Sequence, residues 1–139
     1  MVSSPGRTPG SLLGDSWSDP GSPRRRGGDL SDPDEAQRIA DFAAAALGGL
    51  DVLVNNAPIA TSEPNQHRVA EASYTDWQRI WRQMVDVNLL GAANLSYCVA
   101  RHLIDRGTPG WIVNIGSRGA FRGEPDRPAY GARKAALHA

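Results

Sequence analysis

The sequence predicts an α/β chain: an open, doubly wound parallel sheet, of which residues 29–139 carry the central β-α-β-α portion behind a disordered amino-terminal tail. Three observations carry this. Leu50–Asn55 and Trp111–Ile115 are short runs of Val, Leu and Ile, the composition of strands buried on both faces. The segments around them repeat apolar residues at helical spacing and are bounded by capping residues and glycines. Short buried strands alternating with helices are the signature of right-handed crossovers in a parallel sheet.

Residues 1–28 are mostly Gly, Pro, Ser and Arg. Val2, Leu12, Leu13 and Trp17 are too few apolar side chains to offset the entropy of ordering the segment, so it is expected to be a disordered tail. The first helix opens at Ser31-Asp32-Pro33-Asp34-Glu35, with Asp32 as N-cap, Pro33 as first helical residue and Glu35 as capping-box partner. Ala36, Ile39, Ala40, Ala43 and Leu47 form its apolar stripe, and Gly48-Gly49 end it. The strand Leu50–Asn55 closes on Asn55-Asn56-Ala57-Pro58, and a polar loop spans 59–73. Thr75-Asp76-Trp77-Gln78 then reads as a second capping box opening a helix to about Arg106, stopped by Gly107. Ile80, Met84, Val87, Gly91, Leu95, Cys98, Val99 and Leu103 recur along one side of it, with Trp77 and Trp81 as packing residues. The strand Trp111–Ile115 ends at Gly116-Ser117, and a loop bearing Gly and Arg leads through Pro128 to a final helix at Tyr130.

The formal charge is zero, so no global field favours nucleic acid or an anionic membrane. Arg24-Arg25-Arg26 lacks a following apolar stretch and reads as a solvated tail, and no apolar run approaches membrane-spanning length. A single cysteine, Cys98, lies within a helical apolar pattern, which suits packing and a reducing cytoplasm. His67, His102 and His138 are scattered without a second ligand at metal spacing; no metal site is expected, and all three read as surface residues.

The chemistry concentrates in the last third. Of fifteen basic residues one is a lysine, Lys134, and it falls four positions after Tyr130. With three tyrosines among 139 residues this pairing has a chance of roughly 2%. A Tyr and a Lys at i and i+4 share a helix face, which suits a phenol acting as acid or base. Ligands of open parallel sheets bind beyond the carboxyl ends of the strands. Asn55 and Asn56 from the first strand and Ser117 from the second fall at that edge.

These residues together resemble the classical short-chain dehydrogenases/reductases, whose sheet is Rossmann-like. The matching pieces are Asp29-Leu30, Asn55-Asn56-Ala57, Asn88 in Val85-Asp86-Val87-Asn88, Ser117 in Asn114-Ile115-Gly116-Ser117, and Tyr130-Gly131-Ala132-Arg133-Lys134. They stand in the family's order, and Tyr130 follows Ser117 by the thirteen positions of its pattern. The resemblance implies hydride transfer between NAD or NADP and a small secondary alcohol or ketone. It implies four catalytic residues: Tyr130 as general acid/base, Lys134 lowering the phenol pKa and binding the nicotinamide ribose, Ser117 holding the substrate oxygen, and Asn88 ordering a water. It also implies that Asn56 and Ala57 line the adenosine side of the cofactor and Asp29 the adenine. Alone, Ser117 reads as a turn residue, Asn88 as a tolerated helix position and Asp29 as a loop residue. A cytoplasmic homo-oligomer is the family's usual state.

The sequence departs from the family as well. No strand, Gly-rich phosphate turn and helix precede residue 29, since Gly6, Gly10 and Gly14 follow no buried strand. Pro58 stands where the family's turn has glycine, and the bulky Arg133 where a small residue is common. The chain is therefore expected to be a fragment of a dehydrogenase with impaired or no activity, its sheet edge open and its apolar faces half covered. The alternative is a non-catalytic piece that associates with an intact relative through its long helices. A sugar epimerase or dehydratase of the extended type shares the Tyr-Lys spacing, but the Asn55-Asn56-Ala57 turn favours the classical type.

Overall fold

The computed structural model describes residues 27–56 and 66–138. The expected tail up to residue 26, and Ala57 and Pro58 of the turn, lie outside the described residues. The elements are α1 (Pro33–Leu47), β1 (Val52–Asn55), α2 (Tyr74–Val85), a π-helical turn (Asp86–Leu90), α3 (Gly91–Arg106), β2 (Trp111–Asn114), α4 (Gly119–Arg122) and α5 (Pro128–Ala136).

Helix α1 begins as its sequence requires: the Asp32 carboxylate accepts the Asp34 N–H at 2.9 Å and Pro33 opens the first turn. Glu35 does not complete the expected box. The Asp32 N–H already donates to the Asp29 carbonyl at 3.0 Å, which leaves the Glu35 carboxylate to pair with Arg38 at 2.7 Å. Gly48 and Gly49, at φ 74° and 146°, take the left-handed backbone that ends the helix.

The second helix starts earlier than Thr75. Ser73 is its N-cap: its hydroxyl accepts the Asp76 N–H at 3.1 Å and donates to the Asp76 carboxylate at 2.7 Å. Ser73 and Asp76 thus form the reciprocal pair three residues apart, and Thr75 lies inside the first turn. The helical run reaches Arg106 as expected, but not as one regular α-helix. At Asp86–Leu90 it widens into a π turn, with the Gly91 N–H reaching back five residues to the Asp86 carbonyl. Helix α3 then runs to Gly107, at φ 63°.

β1 and β2 pair in parallel, with Val52 opposite Trp111 and Asn55 opposite Asn114. One face is covered, where Leu50 and Leu53 of the first strand region pack against Val99 and Leu103 of α3 and Ala43 and Ala44 of α1. Side chains alternate along a strand, so Val52, Val54, Trp111 and Val113 share the opposite face. That face is open: Val52 and Val54 are each 53% exposed and Trp111 64%. Burial on both faces, expected from composition, is therefore not found among the described residues.

A second core joins α2 to α5 through Ile80, Met84 and Ala129, with Trp81 against them. Here the histidine expectation fails. His67 is completely buried, its Nε2 accepts the Ala129 N–H at 3.0 Å, and its ring meets Trp77 edge-on at 5.6 Å. Ala129 lies in the first turn of α5, where backbone N–H groups have no acceptor within the helix, and His67 supplies one from 62 residues away. His102 is half-buried, its Nε2 accepting the Leu50 N–H at 3.3 Å. Of the three histidines only His138 lies exposed.

Candidate functional site

The two strands end side by side on asparagines, and these tie the sheet to its helices. The Asn55 amide donates to Asn114 Oδ1 at 2.8 Å and to Ser96 Oγ on α3 at 3.0 Å. Both of its N–H donors are thus spent on structure. One residue past β2, the Ile115 N–H continues the ladder to the Asn55 carbonyl at 3.1 Å. The Ile115 carbonyl in turn accepts a hydrogen bond from Lys134 Nζ, which fixes α5 at the carboxyl end of the sheet.

Ser117 follows at the turn into α4. Half-buried, its Oγ accepts the Gly119 N–H at 3.2 Å and its carbonyl accepts the Ala120 N–H at 3.0 Å, a side-chain turn that starts the helix. α5 packs directly on this turn because Gly131 has no side chain: a Cβ there would stand 3.2 Å from the Gly119 carbonyl oxygen. Tyr130 is half-buried on α5, and Lys134, one turn on, is buried.

Asn88 is buried in the π turn, with its Nδ2 3.3 Å from Met84 Sδ, a weak acceptor. It shares a recess of about 60 Å³ with Asn55, Asn56, Arg133, Lys134 and Leu30. The fold therefore brings Asn56, Asn88 and Lys134 to one small space. Tyr130 adjoins it through the α5 helix and Ser117 through the end of β2, though neither lines it. Asp29 does not line it either. Its exposed carboxylate accepts the Ser31 N–H at 2.9 Å and hydroxyl at 2.8 Å, bonds that hold its pKa below the usual carboxylate value.

The electrostatics centre on two adjacent cations. Burial pushes the Lys134 ammonium below the ordinary lysine value, the Arg133 charge adds to this, and Tyr130 opposes it. Burial likewise lowers Arg133, whose guanidinium carbon lies 4.5 Å from the centroid of the Tyr130 ring. Sequence reasoning took Arg133 for misplaced bulk. Its spacing three residues after Tyr130 put it on the helix face shared with Lys134, and that signal was there to be used. Cys98 stays outside this chemistry: its thiol lies 3.4 Å from Gln37 Oε1 and is pushed up by burial. Among the described residues no group of three or more His, Cys, Asp or Glu could hold a metal, and no helix is long and apolar enough to cross a membrane.

Known proteins resemble this chain in sequence and fold. The family model described as short chain dehydrogenase matches residues 24–139. The chain is 38% identical over 104 residues to L-xylulose reductase from Bos taurus, covering 71% of this chain and 39% of that protein. Among solved structures it is similar to gluconate 5-dehydrogenase from Burkholderia cenocepacia J2315 in complex with NADP and tartrate, at TM-score 0.64 and 32% identity over 79% of this chain and 40% of that one. NAD+-bound xylitol dehydrogenase matches at TM-score 0.64 and 27% identity, over 78% of this chain and 39% of that one. The chain spans about two-fifths of the length of the curated relatives it matches.

Proposed function

The chain belongs to the short-chain dehydrogenase family, and from that premise we propose that it carries the proton-transfer half of an NAD(P)-dependent oxidoreductase site for a small secondary alcohol or ketone. The observation that carries the reading is the hydrogen bond from Lys134 to the Ile115 carbonyl, which sets Tyr130 and Lys134 against the carboxyl end of β2. Tyr130 exchanges the proton of the substrate oxygen. Lys134 and Arg133, its two cationic neighbours, stand on the same helix. Ser117 holds the substrate oxygen through its hydroxyl, and Asn88 orders a water behind Lys134. Lys134 and Asn56 fit the ribose portions of a nicotinamide dinucleotide, since they stand together at the ligand edge of the sheet. Such a cofactor, when bound, supplies or accepts the hydride.

The described residues do not fit its phosphates in the same way. Their glycines with positive φ, Gly48, Gly49, Gly107 and Gly123, all follow the carboxyl ends of helices, and none forms a strand-to-helix turn at a helix amino end. The test is titration of the chain with NADH and NADPH, read by nicotinamide fluorescence. Tyr130→Phe is expected to keep binding and lose turnover, and Lys134→Arg to lose binding. Equal binding by wild type and Lys134→Arg would overturn the reading.

One observation favours a second reading, association with an intact relative. Leu90 at the end of the π turn and Tyr97 and Ile104 on α3, 48%, 67% and 65% exposed, recur every seven residues. They form an apolar seam suited to a helix of a partner subunit. Co-purification with a full-length dehydrogenase, lost on Tyr97→Glu, supports it; no co-purification removes it.

A further inference from the structure

The recess beside Lys134 holds a charge arrangement that hydride transfer does not require. Arg133 is 3% exposed, and its Nε and Nη2 are buried with no hydrogen-bond partner among the described residues. Lys134, 6% exposed, lines the same recess, and none of the residues lining it is acidic. Two buried neighbouring cations thus share a space of about 60 Å³ with no counter-charge among the described residues that line it. Burial first, and the Arg133 charge after it, hold the Lys134 pKa below the ordinary lysine value.

An uncompensated buried charge costs several kcal/mol, and a buried donor without an acceptor calls for a bound ion or water. An oxyanion answers both needs. The planar fork of a guanidinium matches the two oxygens of a carboxylate or phosphate, and an ammonium adds a compact second charge. Asn56 contributes an amide to the same space. The volume suits a group of a few heavy atoms, and an anion held there meets the guanidinium group that lies over the ring of Tyr130.

We propose that Arg133 and Lys134 form an oxyanion site that takes one carboxylate or phosphate group beside Tyr130. The site stands on side-chain geometry alone, so it holds or fails separately from dinucleotide binding. The experiment is NMR titration of the full ¹⁵N-labelled chain with sodium phosphate and, separately, sodium acetate, against sodium chloride at matched ionic strength. Saturable shifts of the Arg133 Nε–H and of the α5 amides are expected with at least one oxyanion. Saturation by phosphate alone assigns the site to a phosphorylated ligand, and saturation by acetate alone to a carboxylate-bearing one. Arg133→Met, which keeps the apolar stem, is expected to abolish the shifts, and Arg133→Lys to weaken binding at least tenfold. The proposal is overturned if neither oxyanion shifts these resonances beyond chloride, or if folded Arg133→Met binds as wild type does. Should Arg133→Met not fold, Arg133→Gln is judged by the same criterion.

Discussion

The bond between His67 and the first turn of α5 is the most exposed of the structure's claims to direct measurement. Replacing His67 with Phe keeps a ring of similar size against Trp77, which lies 5.6 Å away, and removes the Nε2 acceptor of the Ala129 N–H. The Ala129 N–H, on a residue 1% exposed, is then left buried and unpaired. Leaving a buried donor unsatisfied costs about 1–3 kcal/mol. Edge-on ring contact, worth about 0.5–1.5 kcal/mol, is largely retained, so the two contributions separate. His67→Ala removes both and opens a cavity as well, so it should cost more than His67→Phe. The assay is amide hydrogen exchange at Ala129 together with urea unfolding followed by tryptophan fluorescence. A loss of 1–3 kcal/mol corresponds to roughly 5- to 150-fold faster exchange at Ala129 if opening is global. His67→Gln, whose carbonyl can accept the same N–H, should recover part of it. Unchanged exchange at Ala129 in His67→Phe, with stability within about 0.5 kcal/mol of wild type, would refute the assigned role.

Other substitutions probe the remaining contacts. Gly131→Ala should destabilise by about 1–3 kcal/mol by thermal unfolding, despite alanine's better helix propensity, because the new Cβ meets backbone atoms of Gly119 and Glu124 at 3.2 and 3.3 Å. Met84→Ala, at a side chain 1% exposed, should cost about 2–5 kcal/mol in urea unfolding. Lys134→Met tests linkage. The folded-state pKa of Lys134 is lowered, so its ammonium opposes folding at all pH values below that pKa, and the penalty fades as pH rises toward the unfolded lysine value. Wild type should therefore gain stability relative to Lys134→Met as pH is raised toward the ordinary lysine value of about 10.5, and parallel pH profiles would contradict the shift.

Local signals were legible in the sequence and distant ones were not. Asp32, Pro33, Gly48 and Gly107 act within a turn of where they stand, so α1 and the end of α3 could be placed from the residues alone. The Ser73 cap was passed over because two overlapping box patterns compete there, and the serine wins through a reciprocal bond to Asp76. The π turn left no mark in the apolar spacing, because one extra residue in a helix only rotates the stripe that follows. His67 and His102 could not be placed, since each accepts from a backbone N–H more than fifty residues distant. At the site, the Tyr130 and Lys134 pair was visible as spacing on one helix, whereas the meeting of Asn88 with Lys134 depends on how α2, α3 and α5 pack. Arg133 was visible but misjudged, because its unpaired burial exists only in three dimensions.

The open sheet also governs how the protein behaves in a tube. Among the described residues each copy offers two unpaired strand edges and a face of Val52, Val54, Trp111 and Val113, a template on which further copies can add. The formal charge of zero at pH 7 supplies no long-range repulsion to hold copies apart. Solubility should accordingly pass through its minimum near neutrality, and preparations at acidic or alkaline pH, kept dilute, should yield the monomer on which every equilibrium measurement depends.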